Sequence, residues 1–130
     1  MSQITTQTLI DELESLRGRV IGMTESVISA TDGLLVASDT STTHPESMAA
    51  LASAMLGLGK RTAAQSALGQ LIEVVNRCNG GYVVVLPIRD RALLVVIGDE
   101  GLDLPGLRRE CARSVETLST LLDLDAGRAG

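Results

Sequence analysis

The 130-residue sequence predicts a single α/β domain: a three-layer α/β/α sandwich with a five-stranded, mainly antiparallel sheet at its centre. Three observations predict it. Two turn signals, Thr31-Asp32-Gly33 and Asn79-Gly80-Gly81, each separate β-like runs and mark antiparallel hairpins. Two segments, 82–86 and 92–97, are apolar on both faces, so the sheet they join needs cover on both sides. Helical periodicity at the start, middle and end of the chain supplies that cover, giving the order α-β-β-α-β-β-β-α.

The first helix is read from Leu9, Leu13 and Leu16, which recur at three- and four-residue steps while Asp11, Glu12 and Glu14 face outward. Gly18 is expected to end it. From Val20 the period changes, and Val20, Ile21, Met23, Val27 and Ile28 read as a strand that turns at Asp32-Gly33 into the return strand 34–37. A Ser/Thr-rich loop, 38–44, leads to Pro45, which suits the first position of a long helix over 45–68. Residues 71–75 read as the third strand, and Arg89-Asp90-Arg91 as a charged turn between the last two. Asp103 caps and Pro105 opens a final helix with one apolar stripe, Leu104, Leu107, Cys111, Val115, Leu118 and Leu122. The domain is expected to have its core over 4–123, with 124–130 a small, polar, flexible tail.

Composition excludes several functions. Hydrophobic residues make up 45% of the chain, yet Tyr82 is the only aromatic, so the core is aliphatic and offers nucleic-acid bases almost nothing to stack on. A net charge of −5 lacks the basic footprint of a nucleic-acid binder. The N-terminus has no basic region followed by an apolar run, and the longest apolar stretch, 82–88, is far too short to span a bilayer. Cys78 and Cys111 form no C-x-x-C pair and read as reduced thiols of a cytoplasmic protein.

The middle helix is too apolar for one buried face. At about 100° per residue, Met48, Leu51, Met55, Leu58 and Thr62 share one arc, assigned to the domain's own sheet. A quarter-turn away lies a stripe of mostly small residues, Ala52, Leu56, Gly59, Ala63 and Ala67. Either this stripe is partly solvated and reflects only the helix propensity of Ala, or it is a helix–helix seam with a second copy. The following strand, here taken as 71–76, would be a sheet edge if its only neighbour is the strand 82–86, and with Glu73 as its one charge it would be poorly protected against pairing. A homodimer that used Ala52, Leu56, Gly59, Ala63 and Ala67 together with Leu71, Glu73 and Val75 would cover both features.

The S-A-T-D-G-L-L-V-A hairpin (residues 29–37), the Ala/Gly/Leu-rich middle helix and the N-G-G-Y-V-V-V-L strand (residues 79–86), in this order, resemble the roadblock / dynein light chain family over roughly residues 9–122. The nearest likeness is to its bacterial stand-alone branch, associated with Ras-like GTPases in conservon-type clusters. The resemblance implies a profilin-like fold, a homodimer joined through the middle helix and the next strand, and a regulatory role. It implies docking on a small Ras-like GTPase, with modulation of GTP hydrolysis or localisation and no arginine finger. It also implies a sensor-kinase-like protein as a further partner.

No catalytic or cofactor site is legible. Around Lys60 a P-loop would need Gly at Ala54 and Ser or Thr at Arg61, inside what reads as a helix. His44 is the lone histidine, and with two distant cysteines it makes no zinc site. Asp99, Glu100 and Asp103 match no calcium-loop spacing. The chain therefore reads as a regulator or scaffold, with no cofactor, no metal, no nucleic acid and no membrane insertion. Lys60, Arg61, Arg89 and Arg91 are its candidate partner contacts or, alternatively, solvated surface charges. A ligand-sensing module of the same fold and a purely structural scaffold are the other readings.

Overall fold

The computed structural model describes residues 2–129, and side chains through Asp125. The elements follow the expected order: α1 (Gln3–Arg19), β1 (Met23–Ala30), β2 (Leu35–Asp39), α2 (Pro45–Ser66), β3 (Val74–Cys78), β4 (Gly81–Ile88), β5 (Ala92–Asp99) and α3 (Leu104–Ala129). The strands form one sheet in the order β2-β1-β5-β4-β3, and every neighbouring pair is antiparallel.

Both faces of the central strands are covered. Along β5, Leu94 and Val96 turn toward α1 and α3 and join Leu9, Leu13, Leu16 and Leu107 in one aliphatic core. Leu93 and Val95 turn the other way, where they meet Val27, Val85 and the α2 residues Ala52 and Leu56. This period-two split explains why 92–97 shows no polar side. α1 and α3 are tied by Arg19, which donates to Glu110 (2.8 Å) and Ser114 (2.9 Å), while buried Ser114 donates to Glu12 (2.8 Å).

Several boundaries differ from the sequence reading. β3 starts at Val74 rather than at residue 71, because the two-residue Asn79-Gly80 hairpin pairs Cys78 with Gly81 and so sets the register Val74↔Val85. Gly81 is required at that corner: its φ is +151°, and a Cβ there would lie 2.1 Å from the Gly98 carbonyl oxygen. β1 starts at Met23, since Val20 caps α1 and the next residues turn, with the Ile21 and Gly22 carbonyls accepting from Asp103 and Asp99.

α3 continues in helical geometry to Ala129 instead of stopping near residue 123; Gly130 lies outside the described residues. Leu121 and Leu122 still pack on the core, Asp123 pairs with Arg91, and Asp125 accepts from the Ser2 amide at 3.2 Å. These contacts hold a turn that the polar composition alone did not suggest.

Candidate interaction surface

α2 lies across the sheet on an arc of small residues. Ala49 and Ala52 are fully buried and Leu56 is nearly so, and Ser29 on β1 donates to the Ala49 carbonyl (3.4 Å). The sequence reading placed Ala52 and Leu56 on a seam with a second copy; this corrects it, since both belong to the chain's own core. Of the arc assigned to the sheet, Met48 and Met55 do pack against that core, whereas Leu51 and Leu58 are 56% and 62% exposed. Leucines occur on both arcs, so hydrophobicity did not choose between them. Residue size did: the alanines let the helix backbone approach β1 and β5 closely, and the bulkier Leu51 and Leu58 point away.

The other six residues expected at the seam divide. Gly59 is filled from within, since a Cβ there would lie 2.8 Å from Leu71 Cδ2 and 3.0 Å from Val74 Cγ2. Leu71 is therefore a packing residue of the α2–β3 connection, not of an edge strand. Ala67 is the left-handed C-cap of α2, with φ +54°. Glu73 accepts two hydrogen bonds from Arg108 on α3, at 3.0 Å from Nε and 2.8 Å from Nη2. Ala63 remains half-buried, and Val75 is exposed on the outer strand.

β3 is a sheet edge, bonded only to β4. Asn76 holds it under α2 by donating to Met55 Sδ and to the Val83 carbonyl, both at 3.1 Å. The connection into it presents two large apolar side chains, Leu68 at 83% exposure and Ile72 at 79%. A shallow depression of about 420 Å³, lined by Gly59, Thr62, Ala63, Leu68, Leu71 and Ile72, lies between α2 and the connection that leads to this edge. An unpaired backbone edge thus adjoins a helix face carrying exposed leucines.

The four candidate cations also separate. Arg89 pairs with Glu116 and Arg91 with Asp123, so the β4–β5 turn is fastened to α3. The Glu116 carboxyl is held below its ordinary range by the hydrogen bond and charge of Arg89. Lys60 and Arg61 are exposed on α2, and among the described residues they enter no ion pair.

One polar group was missed. Glu25, in the middle of β1, is 5% exposed and accepts from the Ser41, Thr42 and Thr43 amides and from both threonine hydroxyls, at 2.7–3.3 Å. Burial pushes its pKa up, but the Thr42 hydroxyl, the Thr43 and Ser41 amides and the Thr43 hydroxyl outweigh it, leaving the value at about 2. The signal was present, as a carboxylate inside an apolar strand followed by a Ser/Thr-rich loop. Cys111 has the opposite environment: burial, reinforced by the charge of Glu73, raises its thiol to about 12. Among the described residues no group of three His, Cys, Asp or Glu lies together as metal ligands, and no helix is long and apolar enough to cross a membrane.

The model of the Roadblock/LC7 domain matches residues 9–98. Among solved structures, MglB in a tetrameric arrangement superposes with a TM-score of 0.85 at 16% identity, covering 95% of this chain and 93% of that one. A Roadblock/LC7 domain from Streptomyces avermitilis gives 0.80 at 25% identity, covering 85% of this chain and 94% of its own. Acanthamoeba castellanii profilin IA gives 0.57 at 14% identity over 88% of this chain and 96% of that one, which agrees with the profilin-like architecture expected from the sequence. No curated protein sequence matches the chain.

Proposed function

Since the chain belongs to the Roadblock/LC7 domain family, we propose that it acts in the cytoplasm as a homodimeric regulator that docks on a small Ras-like GTPase. One observation carries the reading: α2 exposes Leu51 and Leu58, and the connection after it, with Leu68 and Ile72 exposed, leads into β3, which is paired on one side only. Exposed leucines beside an open strand are a hazard for a monomer and an asset for a two-fold pair. Pairing β3 with its symmetry mate satisfies the edge amides, and the same operation brings the α2 faces together. The seam is then Leu51, Leu58, Ala63 and Val75, with Ile72 at its border, in place of one built on Ala52 and Leu56.

A protein of this kind works by its surfaces. Arg89 and Arg91 are engaged by Glu116 and Asp123, so the β4–β5 turn offers no unpaired guanidinium for insertion into a nucleotide site. Of the four candidate cations, Lys60 and Arg61 are left to steer an acidic face of the GTPase. Regulation of hydrolysis then consists of holding the GTPase's own switch segments in place. A sensor-kinase-like protein is the further partner implied by the conservon-type likeness.

Two measurements test this. Sedimentation equilibrium is expected to return twice the chain mass. Titration of a small Ras-like GTPase of the same organism is expected to give saturable binding that prefers one nucleotide state and changes the hydrolysis rate. Equal binding to both states with an unchanged rate would leave a scaffold, and absence of binding would end the GTPase reading.

A further inference from the structure

On the face of the sheet opposite α2, a groove of about 440 Å³ opens between α3 and β4. Its walls are Val84 and Leu86 from β4 and Leu104, Leu107, Cys111 and Val115 from α3. Val84, Leu107 and Cys111 are at most 3% exposed, so the interior is aliphatic and built from the core itself. Charged groups occur only among Glu73, Arg108 and Glu116, whose side chains are 20%, 54% and 64% exposed and form the rim. An apolar interior of this size with a few polar groups on its rim is the form of a small-molecule site.

The lining selects the ligand's chemistry. No aromatic side chain is present to stack on a ring, so the complement to the interior is a flexible aliphatic chain. The rim selects the head group. Both Glu73 oxygens accept from Arg108, and Glu116 is engaged by Arg89, so neither carboxylate stands open to a cation. Arg108 spends Nε and Nη2 on Glu73, and its Nη1 has no partner among the described residues. It is the one group at the mouth with donors to spare. We propose that this groove binds a single-chain aliphatic carboxylate, its chain along Leu86, Leu104 and Val115 over a floor of Val84, Leu107 and Cys111, and its head group on Arg108. The groove meets the surface assigned to the dimer at Ile72 and Glu73, which line both it and the depression beside α2, and its occupancy offers a way for a metabolite to bias α3 against the sheet.

The test uses the protein alone, so its outcome is independent of GTPase docking. Decanoate, kept below its micelle concentration, is titrated calorimetrically and by methyl NMR. Saturation at one per chain is expected, with shifts concentrated on Val84, Leu86, Leu107 and Val115. Ala112 is exposed and lines the groove, so Ala112→Trp is expected to keep the far-UV circular dichroism and abolish binding. Arg108→Gln is expected to weaken decanoate about tenfold or more while changing decanol by less than about twofold. Absence of saturation, shifts centred elsewhere, or tighter binding of decyltrimethylammonium than of decanoate would overturn the proposal. Equal losses for decanoate and decanol in Arg108→Gln would overturn the head-group assignment.

Discussion

Leu71 lies directly over Gly59: its Cδ2 sits 2.8 Å from where a Cβ on Gly59 would be, and Val74 Cγ2 sits 3.0 Å away. The absent side chain on α2 is therefore what lets the α2–β3 connection fold back onto the helix and deliver β3 to the sheet edge. Gly59→Val is expected to destabilise the domain by about 1–3 kcal/mol through overpacking. Gly57, with nothing within 4 Å of its Cβ position, provides the contrast, and Gly57→Ala is expected to gain up to about 1 kcal/mol from helix propensity. Urea unfolding at fixed protein concentration measures both; equal effects would contradict the contact.

The two arcs of α2 are separable by one experiment. Leu58→Glu changes an exposed residue and is expected to yield a folded monomer, with an unchanged far-UV spectrum and half the sedimentation mass. Ala52→Glu buries a charge against β1 and β5 and is expected to cost more than about 3 kcal/mol and to lose the fold. A folded monomer from Ala52→Glu, or an intact dimer from Leu58→Glu, would reverse the assignment of faces.

Glu25 predicts an acid limb. Its carboxyl lies at about 2 when folded against an ordinary 4.5, so as pH falls the unfolded chain takes up this proton first. The contribution is fully present above about pH 4.5 and is lost as pH falls toward 2. Its size is about 2 kcal/mol, the order set by hydrogen bonds to a charged acceptor. Glu25→Gln is expected to lower stability by a similar amount at neutral pH and to flatten the dependence between pH 4.5 and 2. A variant with the same acid limb as the parent would remove Glu25 as its cause.

The exposed cations are distinguished by salt. Lys60→Glu and Arg61→Glu are expected to slow association with the GTPase, with a deficit that shrinks as ionic strength rises. Arg89→Ala and Arg91→Ala, which release Glu116 and Asp123, are expected to change stability by less than about 1 kcal/mol and to leave the association rate nearly unchanged. Stopped-flow kinetics at two salt concentrations reads both pairs, and a larger rate loss from the turn arginines would move the contact to that turn.

The Ala67 cap gives a further stability check. An alanine at φ +54° occupies a conformation that glycine adopts without steric cost. Ala67→Gly is expected to stabilise the domain by about 1 kcal/mol or less, read by urea midpoint. A destabilised variant would mean that the Ala67 methyl packs more strongly than its strain costs.

The amino-acid sequence by itself determined the element order, both hairpins and the two-sided burial of β4 and β5. These follow from local turn chemistry and from the period of hydrophobic residues, which neighbours in sequence are enough to express. Three things needed the tertiary structure. Which arc of α2 meets the sheet depended on how closely two backbones approach, and Ala49 and Ala52 settle that only once β1 and β5 lie beneath them. Where β3 begins depended on Leu71 finding the space above Gly59 and on a register set at Cys78 and Gly81. The roles of Glu25, Arg89 and Arg108 depended on partners at positions 41–43, 116 and 73, far enough along the chain that only folding brings them within hydrogen-bond reach.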